Sequence, residues 1–209
     1  MATSAVITGD IVASTRLPKP ILNKLLKKLE AVMAPYPHEF FRGDSFQVYL
    51  KSAGEAYLLL LKLRVAALKL ETGSASPASD IRAAIGIGHV KAPVHAIRTA
   101  TDEAFVLSGR LFEQLKTAHR LLIAAPEKQA VINTGLHVVA SFTDFIFERM
   151  TLKQAAVVNE LLSQKTQMET AKALKKSQAT IHQHAQAAGW PALESLANDY
   201  QTLTQAIIL

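Results

Sequence analysis

The chain has no cysteine among its 209 residues. That excludes disulfides and thiolate metal centres, and it fits a reducing cytosol. Aromatic residues are few (6%), charged residues make up only 19%, and no low-complexity block occurs. With 49% hydrophobic residues, the chain carries enough apolar side chains for one good core and a smaller appendage, and not the composition of a disordered segment. Residues 1–10 lack the basic start and apolar run of a signal peptide. The richest apolar segment, Ala56 to Leu70, is interrupted by Lys62, Arg64 and Lys69, so it is expected to be a core helix and not a membrane span. These absences point to a soluble cytoplasmic protein with no membrane partner.

Positive charge is in excess, at a formal +6. From Met150 onward five lysines face four carboxylates, a net of +1, which leaves +5 on residues 1–149. Nucleic-acid binding by the C-terminal part must therefore rest on where its lysines stand.

Hydrophobic periodicity gives the organisation. Residues 4–9 read as a buried strand ending in Gly-Asp, and Pro18 and Pro20 open a helix through about Met33. Phe46, Val48 and Leu50 alternate with polar residues after a Gly43-Asp44 turn, which predicts a β-hairpin. A helix over about Ala53 to Glu71 carries a narrow polar stripe at Glu55, Lys62 and Lys69. A strand follows over Ile81 to Val90, with Gly86 and Gly88 on one face, then a helix over about Glu103 to Ala118 and a strand over Arg120 to Ala125. This order predicts an α+β fold, a ferredoxin-like mixed sheet with packed helices. We assign residues 1–126 to this domain, 127–150 to a connector helix and 151–209 to a small all-α domain. The segment Val131 to Met150 is apolar on several faces, so it is expected to pack on a neighbour or on a second copy of the chain.

Two Gly-Asp pairs carry the candidate chemistry. Asp10 ends the first strand and Asp44 sits at the hairpin turn, so adjacent strands bring both carboxylates to one end of the sheet. With the Ile11 carbonyl they form a hard-oxygen set suited to Mg²⁺ or Mn²⁺. The N–H groups of Val12, Ala13, Ser14 and Thr15 enter a helix and are candidates to hold phosphate oxygens. Gly-Asp pairs are also ordinary turn residues.

"DIVAST" resembles the first metal-binding motif of class III nucleotide cyclases, and "FRGDSFQVYL" resembles their Gly-Asp hairpin and that of diguanylate cyclases. "IRAAIGIGHV" and "AFVLSGRLFEQLK" are similar to a later cyclase strand and helix. With the helical C-terminal part, the set resembles the SatD family, in which a cyclase-like domain is joined to a helix-turn-helix. The resemblance implies a metal at Asp10, Ile11 and Asp44, and a transition-state arginine at Arg110. The base-selecting lysine of the cyclases falls on Phe40 or Phe41, and their ribose-positioning asparagine on Val106. Against diguanylate cyclases, Arg42 and Ser45 replace a glycine and a glutamate. The pattern therefore favours binding of a nucleotide or phosphorylated small molecule over cyclisation. A metal-dependent nucleotidyl or phosphoryl transferase and a degenerate fold used only for dimerisation are the alternatives.

In the C-terminal part, Thr166 with Glu169 forms a capping box, and Ser177 caps a second helix after "LKKS". This resembles a helix-turn-helix. Gln178, Ala179, Thr180, His182 and Gln183 would face the major groove of double-stranded DNA, with Lys172, Lys175 and Lys176 at phosphates and the cap Ser177 counted among the DNA-binding residues. Useful affinity then requires a homodimer. Lysines stand at the two turn positions where glycine and an apolar residue are usual, and a plain helical hairpin is the other reading. Trp190-Pro191 reads as core or a helix stop.

Overall fold

The computed structural model describes all residues except 1–2, 42, 71, 74–75, 92–93, 95, 116–118 and 209. The expected helix ends at Glu71 and Ala118, and Arg42, lie outside the described residues. Strands β1 (Ser4–Ile11), β2 (His38–Phe41), β3 (Ser45–Leu50), β4 (Ile81–Gly88) and β5 (Leu121–Ala124) form one sheet of order β2-β3-β1-β4-β5. Helices α1 (Lys19–Met33), α2 (Ala56–Leu68) and α3 (Glu103–Gln114) connect them. After β5 come α4 (Ala130–Phe147), α5 (Leu152–Leu162), α6 (Gln167–Leu174), α7 (Gln178–Ala187) and α8 (Trp190–Gln205).

β1 runs antiparallel to both β3 and β4, and β5 runs parallel to β4. The units β1-α1-β2 and β3-α2-β4 are thus interleaved, each with one strand of the other between its own two. That is the expected ferredoxin-like plan, extended by β5. One sheet face (Ile7, Ile11, Val48, Leu50, Ile85, Ile87) packs on α1 and α2, and the other (Val6, Tyr49) on α3. Gly86 lets α3 lie close: a Cβ there would meet the Ser108 nitrogen at 2.4 Å and the Ala104 oxygen at 2.5 Å.

Eleven of the 13 residues of α2 are buried, because α2 lies between the sheet and the C-terminal helices and has no wet side apart from Leu58 and Lys62. One hydrophobic core accordingly runs from the sheet through Leu136, Phe147, Val158, Leu193 and Tyr200. Tyr57 stacks on Tyr200 at 5.4 Å between centroids, and the Tyr200 hydroxyl donates to the Ala53 carbonyl at 2.9 Å. The Thr143 hydroxyl donates to the Val139 carbonyl (2.7 Å), so Tyr57 is the donor in its 2.7 Å bond to Thr143. Burial pushes the Tyr57 phenol up to about 12.

Arg64, which the sequence places among ordinary interruptions of an apolar run, is fully buried. Its guanidinium donates to Asp80 (Nη2 2.6 Å, Nε 3.1 Å) and to Asp144 of α4 (Nη1 2.6 Å), and lies 4.3 Å from the centre of the Phe147 ring. Asp144 also accepts from the backbone N–H groups of Arg120 (2.8 Å) and Leu121 (3.0 Å). Burial acts to lower the Arg64 pKa, but Asp80 and Asp144 outweigh it and hold the pKa above the ordinary arginine value.

Among the described residues α4 is the one helix long and apolar enough to cross a membrane, and seven of its 18 residues are buried within the fold. Trp190 packs half-buried against the core, as one expectation had it, and the helix-stop expectation is corrected: Pro191 stands in the first turn of α8, where its missing N–H and fixed φ suit a helix start, so the pair opens a helix.

Removing one member of a buried ion network leaves an uncompensated charge. Asp144→Ala is expected to cost about 3–5 kcal/mol in urea unfolding, while Lys62→Ala on the wet side of α2 changes stability by less than about 0.5 kcal/mol. Gly86→Ala has to push α3 off the sheet, at a cost of about 1–3 kcal/mol in the same assay.

Candidate functional site

Asp10 stands in β1 opposite Ser45 of β3 and Arg82 of β4. Strand alternation puts Thr8, Asp10, Ser45, Gln47 and Arg82 on the α3 face. Arg82 grips Asp10 with both prongs: Nε donates to Oδ1 at 3.1 Å, and Nη2 donates to Oδ2. The Phe112 ring lies 5.1 Å below the guanidinium. The hydrogen bond to Asp10, more than any other influence, holds the Arg82 pKa above its ordinary value.

Asp44 lies at the same end of the sheet, as expected, and its carbonyl accepts from the Ile11 N–H at 3.3 Å. Its carboxylate accepts from the Ser14 hydroxyl at 2.5 Å. The two carboxylates are therefore close in the fold, but each has its own partner. Both oxygens of Asp10 face the Arg82 guanidinium, which a divalent ion at Asp10 would have to displace. Among the described residues there is no group of three or more His, Cys, Asp or Glu able to hold a metal ion. As folded, Asp10 is engaged by Arg82 and Asp44 by Ser14.

The segment expected to cradle phosphate does not enter an α-helix. Val12 donates its N–H to the Asp80 carbonyl at 2.8 Å. Ala13 is left-handed at φ 57°, and Ser14–Arg16 form a single 3-10 turn. Ser14 is buried and serves Asp44, while Thr15 is exposed. Arg110 is exposed on α3 and does not line the cleft described next.

That cleft, of about 870 Å³, lies between the β2-β3 surface and the C-terminal half of α3. Thr8, Phe41, Ser45, Gln47, Arg82, Arg98, Phe112 and Glu113 line it. Its floor is an ordered chain of hydrogen bonds. The Ser108 hydroxyl donates to the Phe105 carbonyl (3.0 Å), so Thr8 donates to Ser108 (2.9 Å) and accepts from Gln47 (3.1 Å). Arg98 reaches the rim and pairs with Glu39 at 2.8 Å. Sequence reasoning missed that Arg82 and Arg98 line this cleft. The available signal was parity: Arg82 alternates onto the face of β4 that carries Gly86 and Gly88.

In the C-terminal helices both expected caps form. Thr166 and Glu169 make the reciprocal box, and the Ser177 hydroxyl accepts from the Thr180 N–H at 3.1 Å. Ala171, Ile181 and Ala185 are buried where α5, α6 and α7 meet. Gln178, Ala179, His182 and Gln183 are exposed along α7, with Thr180 half-buried. Lys172, Lys175 and Lys176 are exposed beside them, and none makes an ion pair with a described residue. Lys175 is left-handed at φ 53°, the position where glycine is usual.

No protein-family model matches this chain, and no curated protein matches it. Among solved structures the fold is similar to one described as the structure of a bacterial light-regulated adenylyl cyclase. The identity is 15% and the TM-score 0.37, over 59% of this chain and 43% of that one. The chain spans less than half the length of that protein, and a likeness of this size carries no argument about function.

A left-handed lysine stores strain that glycine does not, so Lys175→Gly is expected to raise stability by about 0.5–1 kcal/mol in thermal or urea unfolding. Glu169 is held below the ordinary glutamate range by the Thr166 N–H, and Glu160 by Lys165. Their folded-state values are depressed. The stabilisation is therefore complete above the ordinary glutamate range and is lost as pH falls through the lower folded values. Hydrogen exchange at the Thr166 amide, whose donor bond goes to Glu169, should accelerate relative to the core amides over that acid window.

Proposed function

We propose that this protein is a DNA-binding regulator whose sheet half holds an anionic, phosphorylated small molecule. The observation that carries the reading is the exposed row on α7. Gln178, Ala179, His182 and Gln183 point away from the buried contacts of Ile181 and Ala185, on a helix capped by Ser177 and flanked by three lysines that make no ion pair with a described residue. Gln matches the donor-acceptor edge of adenine, Ala the thymine methyl, and lysines the phosphates. The sequence resemblance to the SatD family and to cyclase-like sheets agrees with this reading.

For the sheet half, Arg82 and Arg98 stand in one cleft beside the Gln47 amide and the rings of Phe41 and Phe112, and an anionic ligand there would take the place of their carboxylate partners, Asp10 and Glu39. That combination suits a phosphate with an attached planar group. A metal-dependent transferase would need both carboxylates on one ion, and Asp10 is instead held by Arg82.

Fluorescence anisotropy with labelled duplexes across a salt series tests the DNA reading. Lys175→Ala and Lys176→Ala should weaken binding to every sequence and reduce the slope of log K on log salt by about 0.9 for each phosphate no longer neutralised. Gln178→Ala or Gln183→Ala should instead relax preference at particular base pairs, each worth about 1–3 kcal/mol of discrimination. Absent or salt-independent binding by the wild type contradicts the proposal and leaves α5–α7 as a packing module. For the cleft, thermal stabilisation by nucleotides should appear in the wild type without added metal and disappear in Arg98→Ala.

A further inference from the structure

The solvent face of α4 is apolar where a helix packed on one side only is normally polar. Val131 is 86% exposed, Val138 58%, Phe142 44% and Phe145 50%. The two Phe rings stack at 5.7 Å. These four residues are spaced seven, four and three apart, so they form one stripe along the 18-residue helix, about 27 Å long. Exposed Thr134, His137 and Ser141 flank the stripe.

The charges at the two ends of α4 decide what covers it. Glu127 and Arg149 stand eleven residues either side of Val138, and Lys128 and Glu148 stand ten either side. All four are exposed. Arg149 lies over Phe145 at 3.8 Å, donates to the Phe145 carbonyl, and has only the loose 3.8 Å contact to Glu148 as an ion pair among the described residues. All four charged residues lie just outside the helix, and a second α4 laid antiparallel about a two-fold axis near Val138 brings the end that carries Glu148 and Arg149 beside the end of the other copy that carries Glu127 and Lys128. The same operation sets Phe145 against Val131, and Phe142 against the small Thr134. A parallel partner would place Arg149 on Arg149 and Glu148 on Glu148, which repel.

We propose that α4 is the interface of an antiparallel, two-fold homodimer centred near Val138. The stripe is self-complementary in shape and in charge, as an isologous contact requires. The Arg64–Asp144 network holds α4 rigidly from behind, so the face is presented without prior ordering. This interface stands apart from the DNA reading: a dimer that binds no DNA leaves it intact, and a DNA-binding monomer overturns it.

The cysteine-free chain makes the test direct. In the full-length protein, Val138→Cys should form a disulfide-linked dimer on mild oxidation, because only Cα atoms within about 7 Å can be bridged. Val131→Cys and Phe145→Cys should cross-link when mixed and not alone, whereas a parallel dimer would give the reverse and overturn the proposed geometry. Sedimentation of the wild type should show dimers, and Arg149→Glu should weaken them at least about tenfold, the effect of removing a close charge pair. Adding Glu127→Arg to the same chain should restore them. A wild type that is monomeric at every concentration overturns the proposal without reliance on any variant. So does flotation of a monomer with anionic vesicles that is abolished in Phe145→Glu, which would assign the face to a lipid surface.

Discussion

Arg64 is the constraint around which the molecule is arranged. An arginine with no exposed surface is tolerated only if its charge and its donors are met. Here they are met by carboxylates from two other parts of the chain, Asp80 just before β4 and Asp144 on α4. Asp144 passes the constraint on by taking the N–H groups that lead into β5. One side chain of α2 thus fixes the start of β4, the start of β5 and the position of the helix that follows the sheet. The C-terminal helices are held to the sheet by this network and by the Tyr57–Tyr200 stack, and the core is continuous between them.

The same network touches the candidate site. Val12, two residues beyond Asp10, is held to the Asp80 backbone through its N–H, and its carbonyl accepts from Ser79. The loop that presents Ser14 to Asp44 is therefore anchored on the residue that receives Arg64. Across the sheet Arg82 holds Asp10, and the hydrogen-bonded row of Gln47, Thr8 and Ser108 ties β3 and β1 to α3. The cleft is preorganised by buried polar contacts, a condition for binding an anion without first rearranging the protein.

Much of this was legible in the sequence, for local reasons. The alternation at Phe46, Val48 and Leu50, the Gly-Asp turn, the exposed Glu55 and Lys62, and the caps at Thr166 and Ser177 all depend on neighbours within a few residues, whereas Lys69, expected on the same wet stripe, is half-buried. What stayed hidden depends on distant ones. Arg64 reads as a surface break in an apolar run, because its partners lie 16 and 80 residues away. Arg82 lies 72 residues from Asp10, and the pairing follows only once the β1–β4 register is known. Val12 to Thr15 read as a helix entrance because Pro18 announces a helix, but the left-handed Ala13 turns the chain aside first. Pro191 was ambiguous in itself, since proline suits both the start of a helix and the point just past its end.

Joined through Arg64, the sheet and the C-terminal helices should behave as one cooperative unit. Native-state hydrogen exchange in increasing denaturant tests this most directly. Slow amides of β1 and β4 and those of α4, α5 and α8 should converge on a single opening free energy equal to the global one. If α4 to α8 instead open as a separate unit at markedly lower free energy, with the sheet still protected, the buried network does not join the two halves and the central role given to Arg64 is wrong.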